Sequence, residues 1–212
     1  MNNNSLLYQS YIIIRRSIGY LGVFLPVLLI LGGLFLNEGK VEFSLSAYYH
    51  NNLGDIFVMC LGASGILLVA YRGREPFIRI LTSLGGVLAL LVILFPTEVK
   101  GVDGPYGILK LEPSLSGTIH LVCASLFFIV LGVISFWRFT DHTSDAEEER
   151  RKLDRWYKLL GLTSMLCAAV YLVLVLFFKG TLEWYPILVV ETVGLEAMGF
   201  TWLIKGAKTI GA

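Results

Sequence analysis

Four residues stand out as able to ligate a metal, move a proton or hold a polar ligand: His50, Asp55, His120 and Glu191. Neutral imidazoles and carboxylates together supply the nitrogen and oxygen donors that zinc takes, with a position left for a water whose pKa the metal lowers. The same side chains also relay protons or hold ions where they sit inside a bilayer, because a polar group there is costly unless it is partnered or wet. Ser46 and Tyr49 lie beside His50 in the run Ser44–Asn52 and complete the candidate set. Either could donate a hydrogen bond to an oxyanion or a ligand headgroup. A local triad of Ser46, His50 and Asp55 is the weaker arrangement, since no nucleophile elbow surrounds the serine.

The elements that must position these groups are membrane helices. Of the 212 residues, 56% are hydrophobic and 16% charged. A soluble domain averages roughly 45–50% apolar and about 25% charged. The formal net charge of +1 argues against a nucleic-acid partner, which needs a concentrated basic surface. Six apolar segments, each near the roughly 20 residues that a span requires, run approximately 17–36, 53–71, 77–96, 117–137, 156–178 and 184–204. An all-α, single-domain, six-helix membrane protein is expected over residues 1–212. Pro26 predicts a kink in the first helix.

Thirteen lysines and arginines fall on the side of the N-terminus and four on the other, so both termini are expected to be cytoplasmic. The first span is read as a retained anchor, since Leu34-Phe35-Leu36-Asn37 offers no small-residue cleavage site. That orientation places Ser46, Tyr49, His50, Asp55, His120 and Glu191 in one outward layer, with Glu191 on the order of 10 Å deep. Tyr48, Tyr49, Trp184 and Tyr185 read first as interfacial aromatics, and Asp55 as a candidate helix cap. Glu196, five residues after Glu191, points to a different neighbour. The stretch from Thr140 to Lys158, which includes His142, is expected to be a solvated loop or helical extension. Cys60, Cys123 and Cys167 each fall inside a span and read as packing residues. Gly62, Ala63, Ser64 and Gly65, with Gly85 and Gly86, would let the second and third helices approach closely.

The run FSLSAYYHNNLGDIFV (43–58), the YRG at 71–73, the LFPT at 94–97, the IHL around His120, and Glu191 followed by TWLIKG (201–206) resemble a family of uncharacterised bacterial membrane proteins. That resemblance implies six helices, a bacterial plasma membrane and no established activity. The polar loop feeding the second helix is also similar to the Frag/DRAM-type six-helix families. The Ser46-x-x-x-His50 pattern resembles the alkaline ceramidase and adiponectin-receptor hydrolases, which have seven helices and a three-histidine zinc site. In this chain Glu191 or Asp55 would then replace missing imidazoles. The expected function is binding or passage of a small polar ligand, ion or lipid headgroup. A zinc-dependent hydrolase acting on a lipid amide or ester is the alternative, and a structural or assembly role the second. No phosphate loop, dinucleotide fingerprint or haem-attachment motif is present.

Overall fold

The computed structural model describes residues 3–73, 75–138, 147–178 and 186–207, with side chains from Gln9 in the first helix and from Arg151 in the fifth. Six α-helices occupy the described residues: α1 (Asn3–Leu36), α2 (Gly54–Ala70), α3 (Pro76–Leu94), α4 (Pro113–Val133), α5 (Glu147–Phe178) and α6 (Pro186–Ala207). Five contain stretches long and apolar enough to cross a membrane, and α2, at 17 residues, is a shorter apolar helix. At 1.5 Å per residue α2 covers about 25 Å, less than the roughly 30 Å of a hydrocarbon core. The chain just before it, Ser44–Tyr48, is buried and covers the end of the bundle, with a single 3-10 helix over Ser46–His50.

Two helices begin earlier than their apolar stretches. No glycine or proline precedes Gly19, so α1 reaches back to Asn3 through Arg15 and Arg16. The charged residues from Glu147 onward are good helix formers, and they extend α5 to 32 residues. Pro76 and Pro113 stand at the first turns of α3 and α4, where the missing N–H costs nothing. Pro26 lies inside α1, which continues through it as a single helix.

The helices pack at glycines. Gly65 of α2 and Gly86 of α3 meet so closely that a Cβ added at Gly65 would lie 3.0 Å from the Gly86 carbonyl oxygen. Gly19 of α1 faces Gly199 of α6 in the same manner, with 2.9 Å between the added Cβ and the Gly199 oxygen. Gly132 and Gly161 make the third such crossing, between α4 and α5. Lipid tails are as apolar as leucine, so close backbone approach and dispersion hold membrane helices together. The outside of the bundle is accordingly apolar: Phe24, Leu28, Met59, Ile66, Ile80, Leu166 and Phe200 are all exposed. Large exposed apolar surface on every helix marks a multi-pass membrane protein.

Short polar contacts lock the remaining joints. The π-helical turn Ile134–Arg138 that ends α4 carries Ser135, whose hydroxyl donates to the Tyr157 carbonyl at 2.9 Å and contacts Thr201 at 3.1 Å. In the 18-residue connection between α3 and α4, Tyr106 pairs with Leu111 across a β-bridge and donates its hydroxyl to the Val102 carbonyl at 2.8 Å.

Candidate functional site

The site begins with a proline. In α3 the Val92 carbonyl would ordinarily accept from the N–H four residues on, but that residue is Pro96, which has none. His120 of α4 takes its place, with Nδ1 at 3.0 Å from the Val92 oxygen and 2.8 Å from the Phe95 oxygen. Carbonyls only accept, so Nδ1 carries a proton and Nε2 is directed elsewhere. It meets Ser46 Oγ at 2.9 Å. Ser46 Oγ in turn lies 3.2 Å from Glu191 Oε1, and Glu191 Oε2 accepts the Leu45 backbone N–H at 2.5 Å. The backbone N–H of Ser46 also faces the carboxyl.

Three elements far apart in sequence thus converge through a chain of hydrogen bonds: Glu191 on α6, Ser46 on the short 3-10 helix and His120 on α4. All three are buried, with exposures of 4%, 6% and 1%. Ser46 has a single proton to place between two neighbours. Both contacts are satisfied when Glu191 and His120 share one additional proton. Either Glu191 donates to Ser46 and Ser46 to His120, or His120 donates to Ser46 and Ser46 to Glu191. The two arrangements differ by a concerted shift along the chain, and in both the cluster is neutral overall.

The other expected site residues lie differently. His50 turns away from Ser46, places Nε2 at 2.8 Å from the Thr97 carbonyl and packs against the rings of Tyr49 and Tyr106. Asp55 is exposed in the first turn of α2, where its charge complements the helix dipole. The expected layer therefore divides into a buried chain, an adjacent histidine under the 95–112 connection, and an exposed carboxylate outside both. Trp184, Tyr185, His142 and the stretch 140–146 lie outside the described residues.

Zinc does not fit this arrangement. Among the described residues no three of His, Cys, Asp and Glu gather as metal ligands. The expected set of His50, Asp55, His120 and Glu191 is not assembled, because His50 bonds a carbonyl, Asp55 faces outward and Ser46 stands between His120 and Glu191. The one open nitrogen of His120 is occupied by a hydroxyl.

Beside the buried chain opens a cavity of about 680 Å³, between the 42–44 and 97–100 segments, α4, the end of α5 and the start of α6. Glu42, Ser44, Glu98 and Lys100 give it polar walls, while Leu121 and Val175 give it apolar ones. One lining residue connects it to the cluster: Ser44 Oγ accepts the Ala47 N–H at 3.0 Å, within the same turn that carries Ser46. Tyr171, buried in α5, is a further polar lining residue.

Sequence reasoning did not find the carbonyls of Val92 and Phe95, the N–H of Leu45, Ser44, Tyr171 or Ser116, whose hydroxyl donates to the Pro96 carbonyl at 2.7 Å. Pro96 was the available signal, since a proline just beyond a helix end leaves a carbonyl in need of a donor. A search of curated proteins finds no match to this chain, nor does a search of solved structures. One family model matches residues 57–204, which takes in His120 and Glu191 and leaves Ser46 and His50 before its start. The match covers more than half of the chain, and the chain belongs to that family, described as "Protein of unknown function (DUF998)".

Proposed function

We propose that this membrane protein binds a small amphiphile, such as a lipid, in the cavity between α4, α5 and α6. The carrying observation is the cavity itself: about 680 Å³ is the size of a typical ligand site, and its walls change from charged to apolar. A headgroup would meet Glu42, Ser44, Glu98 and Lys100, and the apolar part Leu121 and Val175. Glu191, Ser46 and His120 form the polar backing of this site. The excess of basic residues on the side of the termini supports an orientation with both termini in the cytoplasm and the cavity outward. The family resemblance supports a bacterial plasma membrane. The concentration of buried polar groups at one end favours binding over passage.

The test compares small molecules extracted from purified protein, identified by mass spectrometry, for the wild type and for Thr118→Trp, which fills the cavity from α4. An amphiphile retained by the wild type and lost from the variant is the expected result. Equal retention by both proteins would overturn the reading. A second reading, acyl transfer by Ser46, is favoured by the 2.9 Å contact to a His120 whose other nitrogen is held by carbonyls. Covalent labelling of Ser46 by a fluorophosphonate would support it, and absence of labelling in folded protein would count against it.

A further inference from the structure

At the opposite end of the bundle, about 30 Å along α1 from Leu36, Arg15 is held by two tyrosines. Its Nε donates to Tyr71 Oη at 3.0 Å and its Nη2 to Tyr11 Oη at 3.0 Å, while the two hydroxyls bond each other at 2.6 Å. The guanidinium carbon lies 4.2 Å from the centre of the Tyr11 ring. Tyr71 is 1% exposed, stacks on Tyr11 and meets the edge of the equally buried Trp202, so the acceptor side of this clamp is fixed. Among the described residues Arg15 has no carboxylate partner.

A count of protons shows what the clamp lacks. The guanidinium has five N–H donors and the tyrosines two O–H donors. Three of these seven are spent within the cluster, two from Arg15 and one between the hydroxyls. Among the described residues three N–H groups and one O–H remain, beside a full positive charge and a single unused tyrosine lone pair. Further cations stand close by. Arg72 follows Tyr71 directly and Arg16 follows Arg15, packing against Gly206 of α6, where an added Cβ would lie 2.9 Å from Arg16 Cγ. The complement to several convergent donors around one fixed guanidinium is an anion with several oxygens, and a forked guanidinium suits phosphate.

The geometry points to a phosphate-binding site built on Arg15, Tyr11 and Tyr71, separate from the cavity beside Glu191. The phosphate belongs either to an anionic membrane lipid or to a free phosphate ester. Arg15 is half-buried at the end of the bundle, so three of its donors remain within reach of the headgroup layer.

The test is calorimetric titration of the full chain in detergent, in one arm with mixed micelles of phosphatidylglycerol or of phosphatidylcholine, and in the other with inorganic phosphate. Saturable binding of phosphatidylglycerol, weakened at least tenfold by Arg15→Gln and less by Arg15→Lys and Tyr11→Phe, is the expected result for a lipid phosphate. Binding of inorganic phosphate with the same dependence on Arg15 would support the site and identify its ligand as a free phosphate. Arg79→Gln changes an exposed cation outside the clamp and should leave affinity within twofold. Equal weakening by Arg15→Gln and Arg79→Gln would overturn the proposal in favour of diffuse surface charge. Wild-type protein that binds neither phosphatidylglycerol in preference to phosphatidylcholine nor inorganic phosphate would overturn it as well. Arg15→Lys and Tyr11→Phe keep the test decisive should Arg15→Gln fail to fold.

Discussion

Replacing Glu191 by glutamine and by leucine separates the two ways in which the Glu191–Ser46–His120 chain can hold its proton. In Glu191→Gln the amide oxygen accepts from the Leu45 N–H, and the amide N–H donates to Ser46, which then donates to His120. Every contact is kept when glutamic acid is the donor, so the change should cost less than about 1 kcal/mol. Glu191→Leu has similar bulk and leaves the Leu45 N–H buried without its acceptor, which costs about 1–3 kcal/mol. It also removes one partner of the Ser46 hydroxyl, a hydrogen bond worth about 1 kcal/mol, for a total of about 2–4 kcal/mol. For a chain of this length each kcal/mol shifts the unfolding midpoint by about 2–4 °C, so the leucine variant should melt roughly 4–16 °C below the wild type. The glutamine variant should melt within about 4 °C. Thermal unfolding in one detergent, followed by tryptophan fluorescence, reads both. If glutamine proves as harmful as leucine, the position holds a carboxylate facing an imidazolium, and the arrangement with Glu191 as the donor, on which the small loss for glutamine rests, is refuted.

Gly86→Leu should destabilise the bundle by at least about 1–3 kcal/mol, since the new side chain meets Gly65 and Val69 at a backbone crossing; denaturant unfolding reads the loss. Asp55→Asn should change stability by less than about 0.5 kcal/mol, because the side chain is exposed and stands apart from the buried chain. Ser46→Ala should cost about 2 kcal/mol by separating His120 Nε2 from Glu191 Oε1, and a double-mutant cycle with Glu191→Leu, which removes the same contact from the other side, should show coupling above about 0.5 kcal/mol. A fluorescent protein fused after Ala212 should glow in intact bacterial cells, whereas a periplasmic phosphatase fused there should be inactive, as cytoplasmic termini require.

The helices were legible because a bilayer demands long apolar runs, and their ends were not, because the physics that stops a helix differs from the physics that inserts it. α1 and α5 run on into polar sequence that contains no breaker, which hydropathy alone does not register. Ser46, His120 and Glu191 were visible as polar groups too deep to be accidental. Asp55 joined them in the sequence reading because a carboxylate at the start of an apolar run looks the same whether it faces a pocket or solvent. His50 is decided by the 95–112 connection, which brings Thr97 and Tyr106 to it from more than 45 residues away. The Arg15 clamp had one legible half, Tyr11 and Arg15 four residues apart on a helix face. Its other half, Tyr71, depends on the crossing of α1 and α2.

The glycine crossing between α1 and α6 sets the order in which the protein can be completed. A ribosome delivers α1 first and α6 last, so the face of α1 formed by Gly19 and Gly22 waits through the synthesis of four intervening helices before Gly199 arrives to meet it. Until then Ser46 and His120 lack Glu191, the Leu45 N–H lacks its acceptor, and the cavity lacks one wall. Assembly of the buried polar chain therefore follows synthesis of the five preceding helices and is tied to insertion of α6. A nascent protein stalled before residue 186 would present an unfinished groove along α1, a surface by which quality control could tell it from the finished molecule.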